Sequence, residues 1–426
     1  MNNLKGVLAI SPLLVFITLY LVTSIIAGDF YKVPISVAFM ISGIYAVAIA
    51  GGKNLQKNVA VFSRGASSPN IMTMLWIFVL AGAFANSAKA IGAVDATVNT
   101  MLSLLPSNMV LPGLFIATCF ISLSIGTSVG TIVALVPIAS GLAQTMQLDV
   151  ALLTAVVVGG AFFGDNLSFI SDTTIAATST QGCSMKDKFK VNFFITLPAA
   201  VIVLTIYTFL GADLHPATST HGTNIIKVIP YLAVLATAIA GMNVMGVLVI
   251  GVALTGLIGI LCGDVNLFGW FHAMGDGIMS MGELIIVTML AGGMFEIVRA
   301  KGGIEFIIEK ISARIHGKRG AEAVIGFLVA AIDICTANNT VAIISVGNIA
   351  RRISEQYGID KRKAASMLDT CSCCMQGIIP YGAQMLMASG LAKVNPIDIM
   401  PYLYYPFALI LCVAGAVAFR LPRRYS

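Results

Sequence analysis

Charge is what this 426-residue chain has least of: 10% of its residues are Asp, Glu, Lys or Arg, while 58% are hydrophobic. A soluble protein of this length needs far more polar surface, so the composition excludes a soluble fold and implies a polytopic helical membrane protein. The mean hydropathy of +0.93 agrees. No phosphate-binding loop is present. The stretch GKRG at 317–320 lacks the rest of such a motif, which argues against an ATP-driven pump. No polar stretch is long enough for a soluble domain, so the chain reads as a carrier rather than an enzyme and calls for no cofactor. The net charge of +6 is scattered through loops, which disfavours nucleic acid as a partner. The eight cysteines lie almost entirely in apolar segments, against a disulfide framework. Cys371, Cys373 and Cys374 have no histidine nearby and no zinc spacing, so they read as helix packing. His215 and His221 read as solvated loop residues.

Long apolar runs are what the chain does have. A hydrocarbon core about 30 Å thick needs about 20 apolar residues in helix. Spans are expected near 7–27, 32–51, 70–90, 149–183, 190–212, 225–241, 243–262, 279–299, 364–393 and 398–420, with 149–183 and 364–393 interrupted. Two further stretches, 109–146 and 322–357, carry a polar kink in the middle: GTSVGT at 126–131 and TANNT at 336–340. Irregular backbone at membrane depth must line protein or water, so each is expected to be a re-entrant hairpin. With the N-terminus inside, 21 of the 25 Lys and Arg residues fall in cytoplasmic loops, among them Lys186, Lys188 and Lys190. Both termini are then cytoplasmic, in a bacterial-type inner (plasma) membrane.

The chain also resembles itself. GAFANSAKAIGAVD at 82–95 lines up with GGMFEIVRAKGGIE at 292–305, and the hairpin kinks and helix breaks follow at nearly the same offset. An odd number of crossings in each copy makes the copies run in opposite senses. The expected fold is therefore all-α, with about ten transmembrane spans in two inverted five-span repeats, each with a hairpin and a broken helix. The first repeat is 1–212 (hairpin 109–146, broken helix 149–183); the second is 225–420 (hairpin 322–357, broken helix 364–393). Discontinuous helices in inverted repeats are the architecture of secondary transporters. Membrane lipids are the surroundings this implies; a homodimer is left open.

Broken helices free carbonyls and N–H groups at membrane depth. The first break is expected at Gly164–Ser168, where Asp165 supplies a hard anionic oxygen. Asp172 lies two helical turns further on if the helix has resumed. Ser168, Ser171 and Thr173 add neutral oxygens, and carboxylate, hydroxyl and carbonyl together form the ligand set of Na+ rather than of zinc or copper. An ionisable acid within a span is costly and by default functional, so Asp165 and Asp172 are the expected Na+ and proton seats. The second break, around Gly377 and Pro380, has no acid in place, but Asp369 precedes it by about two turns. Asp333 lies in an arm of the second hairpin. The hairpin tips offer Thr127 and Ser128, and Asn338, Asn339 and Thr340.

GDNLSFISDTT, at 164–174, resembles the GD-x-x-S-x-x-SDTT signature of NhaC-type sodium/proton antiporters of the ion transporter superfamily. SMLDTCSCCMQGIIPYGA is similar to that family's second-half segment, an aspartate leading into a helix break of the I-P-W/Y type. The resemblance runs over nearly the whole chain. It implies a scaffold and a transport domain, and it carries Asp165, Ser168, Ser171, Asp172, Thr173, Asp369 and Pro380 over as functional positions. Asn166 stands where the family often has lysine, which removes an internal cation. The leading reading is a secondary active transporter exporting Na+ in exchange for H+. The alternative is Na+- or H+-coupled movement of a small organic acid or amino acid, with the hairpin tips holding a carboxylate.

Overall fold

The computed structural model describes residues 3–27, 34–50, 55–104, 106–212, 214, 224–312, 315 and 317–425. His215 and His221 lie outside them. Among the described residues all regular structure is helical. The first half runs α1 (Asn3–Ala27), α2 (Ile35–Ile49), α3 (Leu55–Ala66), α4 (Pro69–Ala90) and α5 (Ala93–Leu104). It continues with α6 (Val110–Ile125), α7 (Ser128–Met146), α8 (Val150–Leu167), α9 (Asp172–Gln181) and α10 (Met185–Gly211). The second half runs α11 (Ile229–Ile239), α12 (Val244–Leu261), α13 (Leu267–Ser280), α14 (Gly282–Ala300) and α15 (Gly303–Ser312). Then come α16 (Gly317–Thr336), α17 (Asn339–Tyr357), α18 (Lys361–Gln376), α19 (Ala383–Ala392), α20 (Pro396–Ile399) and α21 (Tyr404–Ala418).

Seven of the described helical stretches are long and apolar enough to cross a bilayer, eight if the bent pair Pro396–Tyr402 and Tyr404–Ala418 counts as one. The expectation was about ten. The difference lies in apolar helices of 10–17 residues, such as Ile35–Ile49 and Ile225–Ile239, which fall short of a full crossing by length alone. The outer faces carry exposed Phe194, Phe209, Leu257 and Leu261, apolar surface that lipid rather than water would cover.

One arm of each hairpin-like pair, α6/α7 and α16/α17, reaches the opposite half of the chain. Helix α7 packs on α19, and α17 packs on α9. Close crossings come in reciprocal pairs as well. A Cβ on Gly82 would strike the backbone of Gly277, and one on Gly65 would strike that of Gly292, so α4–α13 and α3–α14 touch main chain to main chain. The left-handed residues repeat too. Gly92, Gly126, Gln147 and Gly182 have counterparts at Gly302, Ala337, Gly358 and Lys393, each 210 or 211 residues on.

Helices α8 and α18 start on matching N-caps: Asp149 accepts from Ala151 N and Asp360 from Arg362 N, both at 2.8 Å. Asp360 is in addition gripped by the Arg362 guanidinium, at 2.9 Å and 2.6 Å. That hydrogen-bonded guanidinium, and then the cap, hold its carboxyl below the ordinary value of 3.8. A carboxyl lowered on folding contributes stability that is complete above its unfolded value and is lost as pH falls through the folded one. Asp360→Ala should therefore cost about 1 kcal/mol near neutral pH for the lost cap, with the gap from wild type closing in acid. Thermal unfolding in detergent across that range checks it; a gap independent of pH would refute the charged pair.

Candidate functional site

Helix α8 does not break at Gly164. It runs on through Asp165 to Leu167, and the irregular segment is Ser168–Ser171, before α9 begins at Asp172. The correction has a packing cause: a Cβ on Gly164 would strike the side chain of Ser122 and the main chain of Leu123, so this glycine lets α6 and α8 touch. In the second half the break falls where expected. Helix α18 ends at Gln376, Gly377 is its C-cap, and Pro380 sits in the gap before α19.

The first break is closed by its own hydroxyls. Ser171 caps α9 by accepting from Thr174 N at 3.2 Å, and its hydroxyl donates to the Asp165 carbonyl at 3.0 Å. Thr173 Oγ1 lies 2.9 Å from Ser171 Oγ, and Thr174 Oγ1 donates to the Ser168 carbonyl at 2.9 Å. Ser168 Oγ accepts from Ile170 N at 3.3 Å. Gly126, left-handed at the first hairpin tip, packs directly on Ile170 and Ser168.

Asp165 is buried, with 5% of its surface exposed, and its Oδ2 accepts from Ser128 Oγ at 2.9 Å. From there a line of buried side chains crosses to the other half. Gln384 Nε2 donates to Ser128 Oγ at 3.1 Å, and Gln376 Nε2 donates to Gln384 Oε1 at 2.8 Å and to the Ala337 carbonyl at 3.1 Å. One line thus joins the first break, the first hairpin tip, the second break and the end of the second hairpin.

Asp369 is fully buried and meets a lysine. Lys188 Nζ lies 2.5 Å from Asp369 Oδ2 and also donates to the Asn166 carbonyl at 2.8 Å and Thr174 Oγ1 at 2.6 Å. Asn192 Nδ2 donates to Asp369 Oδ2 at 2.8 Å and to the Asn166 carbonyl at 2.9 Å. Sequence reasoning placed Lys188 in a cytoplasmic loop and counted Asn166 as the loss of an internal cation. The structure brings the cation back from another helix. A signal for this exists: Ser184 N-caps α10, accepting from Asp187 N and donating to its carboxylate, so the helix starts at Met185 and puts Lys188 and Asn192 on one face four residues apart. Lys363, also counted as a loop charge, is buried too and donates to the Leu421 carbonyl.

The other expected residues are dispersed. Asp172 is exposed and shares no hydrogen-bond partner with Asp165; it lines a cavity of about 220 Å³ together with Thr127, Asn338, Thr340 and Ala383. Asn338 caps α17 by accepting from Val341 N at 3.0 Å, while Asn339 is buried with its Nδ2 unpaired. Asp333 is fully buried, and neither of its carboxylate oxygens has a hydrogen-bond donor. Asp369 Oδ1, Asn166 Oδ1 and Gln376 Oε1 are likewise buried without a donor. Apart from the Asn339 amide nitrogen, these orphans are oxygen acceptors, so the group that satisfies the oxygens is a donor or a cation.

The family model described as "Na+/H+ antiporter family" matches residues 4–212 and 215–421. The chain belongs to the Na+/H+ antiporter family. Membership makes it an integral membrane antiporter of the sodium/proton class. Among its relatives, the Na+/H+ antiporter NhaC of Alkalihalophilus pseudofirmus is 22% identical, over 66% of this chain and 67% of its own. The malate-2H+/Na+-lactate antiporter of Bacillus subtilis is 21% identical, over 89% and 88%. The solved YdaH transporter of Alcanivorax borkumensis covers 86% of this antiporter and 88% of its own chain at 14% identity, with a TM-score of 0.41, a likeness too loose to carry residues across.

Proposed function

We propose that this antiporter exports Na+ in exchange for H+ by alternating access, with Asp165 as the carboxylate for which the two ions compete. The observation that carries the reading is the setting of Asp165. A buried acid touches a hairpin tip where two broken helices meet, amid unpaired acceptor oxygens. Asp165 supplies the charge, Ser128 and Ser168 the hydroxyls, and the broken backbone the carbonyls that a dehydrated Na+ needs. A proton on Asp165 satisfies the same carboxylate, which makes occupancy exclusive. The left-handed residues at offsets of 210 or 211 and the reciprocal glycine crossings support two inverted repeats, the symmetry through which one site can face either side. Purified protein in liposomes holding a pH-sensitive dye should release protons saturably when Na+ is added. No Na+-dependent response at neutral or alkaline pH would sink the proposal.

A second reading rests on the 220 Å³ cavity. The N-terminal ends of α7, α9, α17 and α19 border it through Thr127, Asp172, Asn338 and Ala383. Four partly positive helix ends beside one carboxylate suit a small organic acid or amino acid. The malate-2H+/Na+-lactate relative fits this alternative. Asp172→Asn separates the readings: with ions alone as cargo, exchange stays within about threefold of wild type, since no buried charge is lost. With an organic cargo, Na+-dependent uptake of labelled organic acids or amino acids exists and collapses in the variant.

A further inference from the structure

The environment of Lys188 is that of a bound monovalent cation. Its ammonium has three donors and no acceptor, and it meets three oxygens: the Asp369 carboxylate, the Asn166 carbonyl at the end of α8, and the Thr174 hydroxyl on α9. Carboxylate, main-chain carbonyl and hydroxyl are the donors a hard cation takes. They come from both halves of the chain, at the point where α8, α9, α10 and α18 converge. Lys188 is 1% exposed and Asp369 fully buried.

We infer that Lys188 is a tethered cation filling a second cation seat, formed by Asp369, the Asn166 carbonyl and Thr174, and that its fixed charge limits the antiporter to a single exchanged cation. The inference rests on the exchange reading above. In the cluster at the first break, Asp369 and Lys188 both lie within electrostatic reach of Asp165, and these three side chains carry two negative charges and one positive charge. One negative charge is left for one Na+ or one proton. A chain without the lysine would carry two and would draw a second ion into the seat at Asp369, because a buried unpaired carboxylate is costly. The lysine thus sets how many cations are bound by occupying one place permanently.

The test is equilibrium binding of radioactive Na+ to the purified full-length protein at saturating Na+. Wild type should bind one Na+ per chain and exchange without cooperativity. Lys188→Met should bind two, with exchange cooperative in Na+, and Lys188→Met combined with Asp369→Asn should return to one. Wild type binding two, or folded Lys188→Met binding one, overturns the inference and leaves the exchange reading intact. Wild type binding none overturns both. If Lys188→Met is not recovered folded, Lys188→Ala purified with methylammonium decides. Recovery with methylammonium but not with tetramethylammonium, which cannot donate to the three oxygens, supports the seat; recovery with neither overturns it.

Discussion

Asp165→Asn should reduce Na+-driven proton movement in everted vesicles by roughly 100-fold or more, the scale expected when one partner of a buried charged contact is removed. The substitution is nearly isosteric, and the new side chain retains an oxygen that can accept from Ser128. The protein should therefore be recovered in normal amount and in a single size. That separation of activity from folding gives the experiment its force. Asp165 is the one carboxylate in the hydrogen-bonded line that runs through Ser128, Gln384 and Gln376, whose side chains are neutral. Without it the hydroxyls and carbonyls of that seat must dehydrate Na+ with no carboxylate among them, and the seat itself has no carboxyl to take the returning proton. Asp165→Glu, which keeps the charge at a longer reach, should retain measurable exchange at raised Na+. Exchange by Asp165→Asn at the wild-type rate and with the wild-type pH profile would remove Asp165 from the mechanism.

The second large effect is on stability. Asp369→Leu leaves the Lys188 ammonium buried without its counter-charge, and breaking a buried pair in this way costs about 3–5 kcal/mol. Removing both partners is far milder, because the energy of a buried pair lies mostly in the penalty for orphaning one member. Lys188→Met combined with Asp369→Leu should therefore be clearly more stable than Asp369→Leu alone, although it carries one more substitution. Thermal unfolding of the detergent-solubilised wild type, the two single variants and the double variant closes the cycle. Additive losses would mean that the 2.5 Å contact between Lys188 and Asp369 carries no coupling. The Asn192 amide still donates to Asp369 in Lys188→Met and limits the loss there, whereas in both Asp369→Leu variants it keeps only the Asn166 carbonyl.

Much of this protein was legible from patterns that need no tertiary structure. Low charge and long apolar runs dictate a membrane-embedded helical chain, because a polypeptide in hydrocarbon must satisfy its own backbone. The polar kinks at 126–131 and 336–340 mark the two places where paired helices turn: Gly126 supplies left-handed backbone in the first and Asn338 the side-chain cap in the second, while the left-handed Ala337 is a position that residue type does not announce. The weak internal similarity at an offset of 210 reappears as matched left-handed residues and glycine crossings. These are local backbone requirements, which is why one chain could reveal them.

Tertiary structure alone decided who meets whom. Asp165 and Asp172 are seven residues apart in one motif, yet packing buries the first behind Ser128 and leaves the second facing a cavity, because the non-helical residues between them turn the chain. Gly164 looks like a helix breaker in the sequence and is instead a point of contact, since only the position of α6 shows what a Cβ there would strike. Lys188 has the composition of a loop charge and the environment of a bound ion. Its partner lies 181 residues away, and nothing in the local sequence encodes a contact that exists only once α10 and α18 pack together.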